Sequence, residues 1–158
     1  MKIRRLGWWL GCALCGCNAG GGGGGGAPSV AIHSVTVEPT TVPDGGAFTV
    51  KWDVSYANGL GVVTDIGLYL GAPGELTTSS ARSGRALFAL ADTGGAPNRP
   101  GTSATCTRTG GSVRCTPGNS SVSVTTGAVA LTFRLCSAEV LNSASEVCDT
   151  RALTLTIP

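Results

Sequence analysis

Charge is scarce in this 158-residue chain: Asp, Glu, Lys and Arg make up 13% of it, and histidine occurs once, as His33. A nucleophilic hydrolase needs a nucleophile, a base and an oxyanion site brought together. No Gly-x-Ser-x-Gly motif occurs, and a lone His33 reads as an ordinary surface or half-buried histidine, so catalysis is not expected. Asp53 and Asp65 are the carboxylates that neighbouring strands would have to bring together for acid–base work, and their spacing does not demand it. A basic patch is lacking too. Lys2, Arg4 and Arg5 account for three of the eleven cations, and all nine Asp and Glu lie after residue 17. Residues 17–158 therefore carry eight cations against nine anions, a net of −1, with arginines scattered from Arg82 to Arg151. Nucleic acid is not an expected partner. The apolar run Leu6 to Cys15 is too short for a bilayer-spanning helix, which takes about 20 residues.

That run has a use of its own. A cationic start, an apolar stretch and the small residues Gly16-Cys17 give the three-part layout of an export signal. Within it, Leu14-Cys15-Gly16-Cys17 places a leucine three positions before a cysteine and a glycine directly before it. This resembles the lipobox of bacterial lipoproteins. The resemblance implies that residues 1–16 are removed, that the Cys17 thiol receives a diacylglycerol, and that its freed amine is acylated with a fatty acid such as palmitate. Each buried methylene contributes about 0.8 kcal/mol, so two or three chains hold a protein to a membrane far more firmly than one. A rival lipobox ends at Cys12 (Trp9-Leu10-Gly11-Cys12), but tryptophan fits poorly at its first position and its apolar core is very short. A signal cut elsewhere would leave a soluble secreted protein. Asn18 follows Cys17; in enterobacterial lipoproteins an aspartate there implies retention in the inner membrane, so the outer membrane is the expected address.

Residues 17–27 form the expected tether, with Gly20 to Gly26 an unbroken glycine run. Glycine has no side chain to bury against its large backbone entropy, so disorder is predicted. A coil of about nine residues, from Ala19 to Ala27, spans roughly 15 to 18 Å on average and about 30 Å when straight. A phosphate-cradling loop would need a preceding strand, a following helix and a lysine, which this stretch does not offer.

Residues 28–158 suffice for one domain, which at that size buries about two thirds of the surface its unfolded chain exposes. Abundant Gly, Ser, Thr and Val, in short alternating runs between turn residues, predict an all-β antiparallel sandwich of about 7–9 strands. Val30 and Ile32 fall on one parity and Val35 and Val37 on the other, which a bulge near His33-Ser34 reconciles. Pro43-Asp44-Gly45-Gly46 makes a turn. Phe48, Val50, Trp52, Val54 and Tyr56 then share one face, with Trp52 as a core anchor, and Asn58-Gly59 turns the chain into Val62 to Leu70. Gly71 to Gly84 reads as a loop, Arg85 to Ala91 as a strand, and Ser121 to Thr126 as another with Val122 and Val124 inward. Asp92 to Ser103 is the longest stretch without periodicity, either a binding loop or a flexible connection.

The remaining cysteines lie in two hairpins. Gly110-Gly111 is a two-residue hairpin signal that makes Thr109 and Ser112 the closing pair and sets Cys106 opposite Cys115. That pair falls at a non-hydrogen-bonded site, where a Cα separation of about 4.5 Å accepts a disulfide. In the second hairpin, setting Leu131 against Leu153 and Val129 against Leu155 brings Cys136 opposite Cys148, both pointing away from the leucines. Glu139 to Ser145 would be the connecting loop. Disulfides suit an oxidising compartment outside the cytoplasm. A zinc site is the rival reading, but the spacings are long, residues 17–158 contain no Cys-x-x-Cys, and His33 is alone. No metal or cofactor is expected.

The stretch Ser34 to Gly59, with its strand ending at Pro39, its Gly-rich turn and its next strand carrying Trp52, resembles the first hairpin of bacterial immunoglobulin-like and fibronectin-type-III-like modules. Leu131 to Pro158 resembles their last two strands. The resemblance implies an immunoglobulin-like fold, from which this chain departs in holding its cysteines within hairpins and not between sheets. The function implied is a membrane-tethered binding or structural module at the cell envelope, contacting protein or glycan. An accessory subunit of a larger envelope assembly is the alternative, and a secreted hydrolase the third.

Overall fold

The structure, a computed structural model, describes residues 28–56, 62–92, 101–118, 120–139 and 141–158. The signal, Cys17, the glycine tether, the Asn58-Gly59 turn and most of the 92–103 stretch lie outside these residues. The described residues form nine strands: β1 (Val30–Glu38), β2 (Ala47–Tyr56), β3 (Val62–Leu70), β4 (Ala86–Asp92), β5 (Ser103–Thr109), β6 (Ser112–Thr116), β7 (Ser121–Ser123), β8 (Gly127–Glu139) and β9 (Asn142–Ile157). They make two antiparallel sheets, ordered β1-β2-β5-β6-β7 and β4-β3-β8-β9, and the fold is an all-β sandwich.

Alternation along each strand builds the core. Phe48, Val50 and Trp52 from the first sheet meet Leu68, Phe88, Leu131, Phe133 and Leu135 from the second, all buried. Fully burying such a side chain contributes about 1.5–3 kcal/mol. Trp52 stacks on Phe88 with ring centroids 5.4 Å apart and lies 5.5 Å from Phe133, so one side chain of β2 spans the gap to two strands of the facing sheet. The bulge in β1 falls between Ile32 and Ser34, and it lets Ile32, Val35 and Val37 all reach the core despite their mixed parity. At the turn into β2, the Gly46 N–H donates to Pro43 O at 3.0 Å while Gly45 takes φ 71°, a conformation open to glycine.

Three features depart from the expected pattern. The Gly71–Gly84 segment holds a 3₁₀ turn at Pro73–Glu75 and a single helical turn, α1 (Ser79–Arg82), whose Thr78 cap accepts from the Ala81 N–H at 3.1 Å. It buries Leu76 and ties to the second sheet where Thr132 Oγ1 donates to Gly71 O at 2.7 Å. Tyr69, on the outer face of β3, lies across Gly67, where a Cβ would overlap its ring. The β8–β9 connection is shorter than expected, because pairing continues to Glu139 and Asn142 after an irregularity at Ser137, leaving only residues 140 and 141 between the strands. And β7 ends at Ser123, with Val122 buried and Val124 packed at the core margin.

Polar bonds close the sandwich at its edges. Thr41 bridges to Thr156 of β9; the Val42 N–H donates to Thr156 O, and the Thr156 N–H donates to Thr40 O. Further along β9, Asp149 Oδ2 accepts from the Ile32 N–H at 2.9 Å and Arg151 Nη2 donates to Ile32 O at 2.9 Å, so two side chains stand in for a strand partner at the bulge. The Tyr56 hydroxyl donates to Asp92 Oδ2 at 3.0 Å, linking β2 to β4 of the other sheet.

Candidate functional site

Both expected disulfides are present. In β5–β6, the Gly110-Gly111 turn closes on Thr109 and Ser112, and Cys106 bonds Cys115 with a Cα separation of 3.9 Å. In β8–β9, the pairing of Leu131 with Leu153 carries through to Cys136 and Cys148, with a Cα separation of 4.1 Å. Their surroundings differ. Cys106 and Cys115 point inward and are 0% exposed, inside the core. Cys136 and Cys148 lie on the outer face of the second sheet, the first 2% exposed and the second open to solvent.

That outer face carries a set of ionisable side chains around a pocket. Register places Asp65 beside Cys136, Gly67 beside Arg134 and Tyr69 beside Thr132. Arg134 Nη2 donates to Glu146 Oε2 and to Cys148 Sγ, each at 3.1 Å. The wall facing this group comes from the 71–84 segment, where Arg82 Nη1 donates to Leu76 O at 2.9 Å. Between them lies a pocket of about 260 Å³, lined by Leu76, Arg82, Thr132, Arg134, Glu146 and Cys148 among others. Burial pushes the Asp65 carboxyl up; Arg134 and Arg82 oppose that rise and Glu146 adds to it. Burial likewise raises the Tyr69 hydroxyl, against the pull of the same two arginines. Cys136, Cys148 and Glu146 offer ligand atoms within 4.8 Å of one another, but the disulfide occupies both sulfurs.

Elsewhere the residues singled out from sequence are apart. His33 stands exposed at the bulge, its Nε2 3.0 Å from Ser55 Oγ. Asp53 is on β2 and Asp65 on β3, strands of different sheets, and both alternate outward with the exposed residues, so this pair does not meet. The residues that sequence reasoning missed are inward-facing charges. Arg108 follows Ala104 and Cys106 on the core face of β5, is 8% exposed, and donates to Val42 O at 2.8 Å, to Gly110 O at 3.0 Å and to Pro158 O at 3.4 Å. Asp149 and Arg151 share the parity of Leu153 and Leu155, and that unbroken alternation into charge was the signal for an edge contact. Burial raises the Asp149 carboxyl, yet the Ile32 N–H, the Arg151 guanidinium and the Thr150 N–H outweigh it and hold the group below its ordinary value.

A second concavity lies at the end of the sandwich where β3 finishes. Its two lobes, of about 420 and 280 Å³, share Leu70, Gly71 and Ser123; Arg85 and Ser121 line one and Glu75 and Thr125 the other. Arg85 pairs with Glu75 at 3.0 Å on its rim. The chain is an all-β protein of two packed sheets, stapled once in the core and once on an outer face. Compared with family models and with curated proteins, it matches none.

Proposed function

We propose that the chain is a bacterial envelope lipoprotein, anchored through acylated Cys17 and carrying a non-catalytic immunoglobulin-like module that binds protein or glycan. The observation that carries the reading is Leu14-Cys15-Gly16-Cys17 followed by a glycine run that stops just before the first strand. An anchor, a leash and a stapled domain in that order suit display from a lipid surface. Support for the immunoglobulin-like part is the strand order. β4-β3-β8-β9 runs as C′-C-F-G does in that plan, and β1-β2-β5 as A-B-E; β6 and β7 then extend the first sheet.

β1 begins at Val30, at the end of the sandwich where β2 and β4 finish at Tyr56 and Asp92. A tether reaching Val30 joins the domain at that end and leaves the opposite end, with its groove of Ser121, Ser123 and Arg85, clear of the attachment point. That is the face assigned to the ligand. In a bacterial host, an alkyne-tagged fatty acid should label the parent and not the Cys17→Ser variant, and the variant should leave the membrane fraction. An unmodified amino terminus at residue 17, or equal labelling of both chains, refutes the anchor. Reproducible hydrolysis abolished by His33→Ala refutes the non-catalytic reading.

A further inference from the structure

We propose that Cys148 is a thiol–disulfide exchange site, taking small carboxylate-bearing thiols from the pocket beside it. Exchange requires a thiolate to reach a disulfide sulfur. Three of the four bonded sulfurs belong to residues no more than 2% exposed, and Cys148 is the one open to solvent. Its Sγ sits 3.1 Å from Arg134 Nη2, on a pocket of about 260 Å³ whose other wall carries Arg82. A guanidinium against the attacked sulfur steadies the incoming negative charge. The bond from Arg82 to Leu76 O is to a neutral carbonyl, so it leaves the positive charge of Arg82 facing the pocket. Glu146 offsets part of the Arg134 charge at the rim and Asp65, beside Cys136, offsets part of both arginines, which favours ligands whose carboxylates reach the Arg82 wall.

The step balances with thiols as the reductant. A thiol loses its proton to water, and its thiolate attacks Cys148 Sγ. The new S–S bond forms as the Cys136–Cys148 bond breaks, and the electron pair leaves on Cys136, which takes up a proton. A second thiolate attacking the external sulfur of the adduct releases the small disulfide and leaves both cysteines as thiols; alternatively Cys136 attacks Cys148 Sγ, expels the thiol and restores the bridge.

The test uses the oxidised full chain, folded, with mercaptosuccinate, 2-mercaptoethanol or cysteamine at equal thiolate concentration, quenched in acid and mapped by mass spectrometry. The adduct is expected on Cys148, with Cys106 and Cys115 unmodified. Mercaptosuccinate should react about tenfold faster than cysteamine at low salt, and the gap should close near ~1 M salt, where screening is short-ranged. Arg134→Gln should narrow the gap in the same way. If that variant does not fold, the salt dependence of the natural chain decides alone. An adduct on Cys136, equal reactivity of the two hairpins, or cysteamine matching mercaptosuccinate overturns the proposal.

Discussion

The two disulfide hairpins are built alike and placed oppositely. Each joins cysteines directly across an antiparallel pair, and each has an arginine two residues from its first cysteine: Arg108 after Cys106, Arg134 before Cys136. In β5–β6 the cysteines fall on the core face, with Ala104 and Arg108 on one strand and Val113 on the other, so the sulfurs lie within the core cluster and the arginine must satisfy itself on backbone carbonyls. In β8–β9 the leucines take the core face and the cysteines are left outside, so sulfur, arginine and carboxylates share water. Parity alone, one residue in either direction, makes one staple part of the interior and the other part of a surface site.

The largest expected consequence is a difference in stability. Replacing Cys106 and Cys115 together by alanine removes a cross-link and leaves unfilled volume in the core, at a cost of about 3–5 kcal/mol. The Cys136→Ala/Cys148→Ala pair removes a cross-link of similar span without opening the core, at about 2–3 kcal/mol. Urea unfolding of both variants measures the gap; equal losses would mean that burial adds nothing to the first bridge.

The arginines sharpen the same contrast. Arg108→Ala strips the partner from the Val42 and Gly110 carbonyls and should cost about 2–4 kcal/mol. Arg134→Ala breaks a bond to a half-exposed Glu146 and should cost no more than about 1 kcal/mol. Thermal melts of the two variants should separate clearly, and a larger loss at Arg134 would reverse the assignment of which hairpin is structural.

What was legible in the sequence was whatever is local. The bulge at His33, the Pro43–Gly46 turn, Trp52 as anchor and both cysteine pairings follow from period-2 alternation and turn chemistry, which act over a few residues. Strand order between sheets was not legible, so Asp53 and Asp65 were candidates for a contact that the topology forbids. Arg108 and Asp92 depend on partners 66 and 36 residues away for which no alternation pattern speaks, and the alternation that carries Asp149 and Arg151 onto the core parity does not say that Ile32, 117 and 119 residues away, is what they clasp. The cover over the second sheet was hidden because Leu76 is a single apolar residue in a polar stretch, and the β8–β9 strands ran past their hydrophobic stretch because backbone pairing continues without apolar side chains.

Titration gives the smallest and most selective test, because β8–β9 carries Asp149 and lies beside Asp65, two carboxyls shifted in opposite directions. Asp65 has its carboxyl raised by burial above its ordinary value of 3.8, so in the folded chain it holds its proton more tightly than in the unfolded one. Ionised Asp65 therefore weakens the fold at neutral pH, and that penalty is relieved as pH falls through its raised folded value. Asp149 has the opposite sign. Its folded value lies below 3.8, so its contribution is present above 3.8 and is lost as pH drops through that lowered value. Asp65→Asn should raise stability at neutral pH by about 0.5 kcal/mol, reduced by its partial exposure to water, with the gain vanishing once pH is below 3.8. Asp149→Asn should lower stability by about 1 kcal/mol at neutral pH and converge on the parent in strong acid. Melting temperature followed from pH 7 downward, taken as the difference between each variant and the parent, separates the two; a parallel offset at every pH for either variant would mean that its carboxyl acts by packing and not by charge.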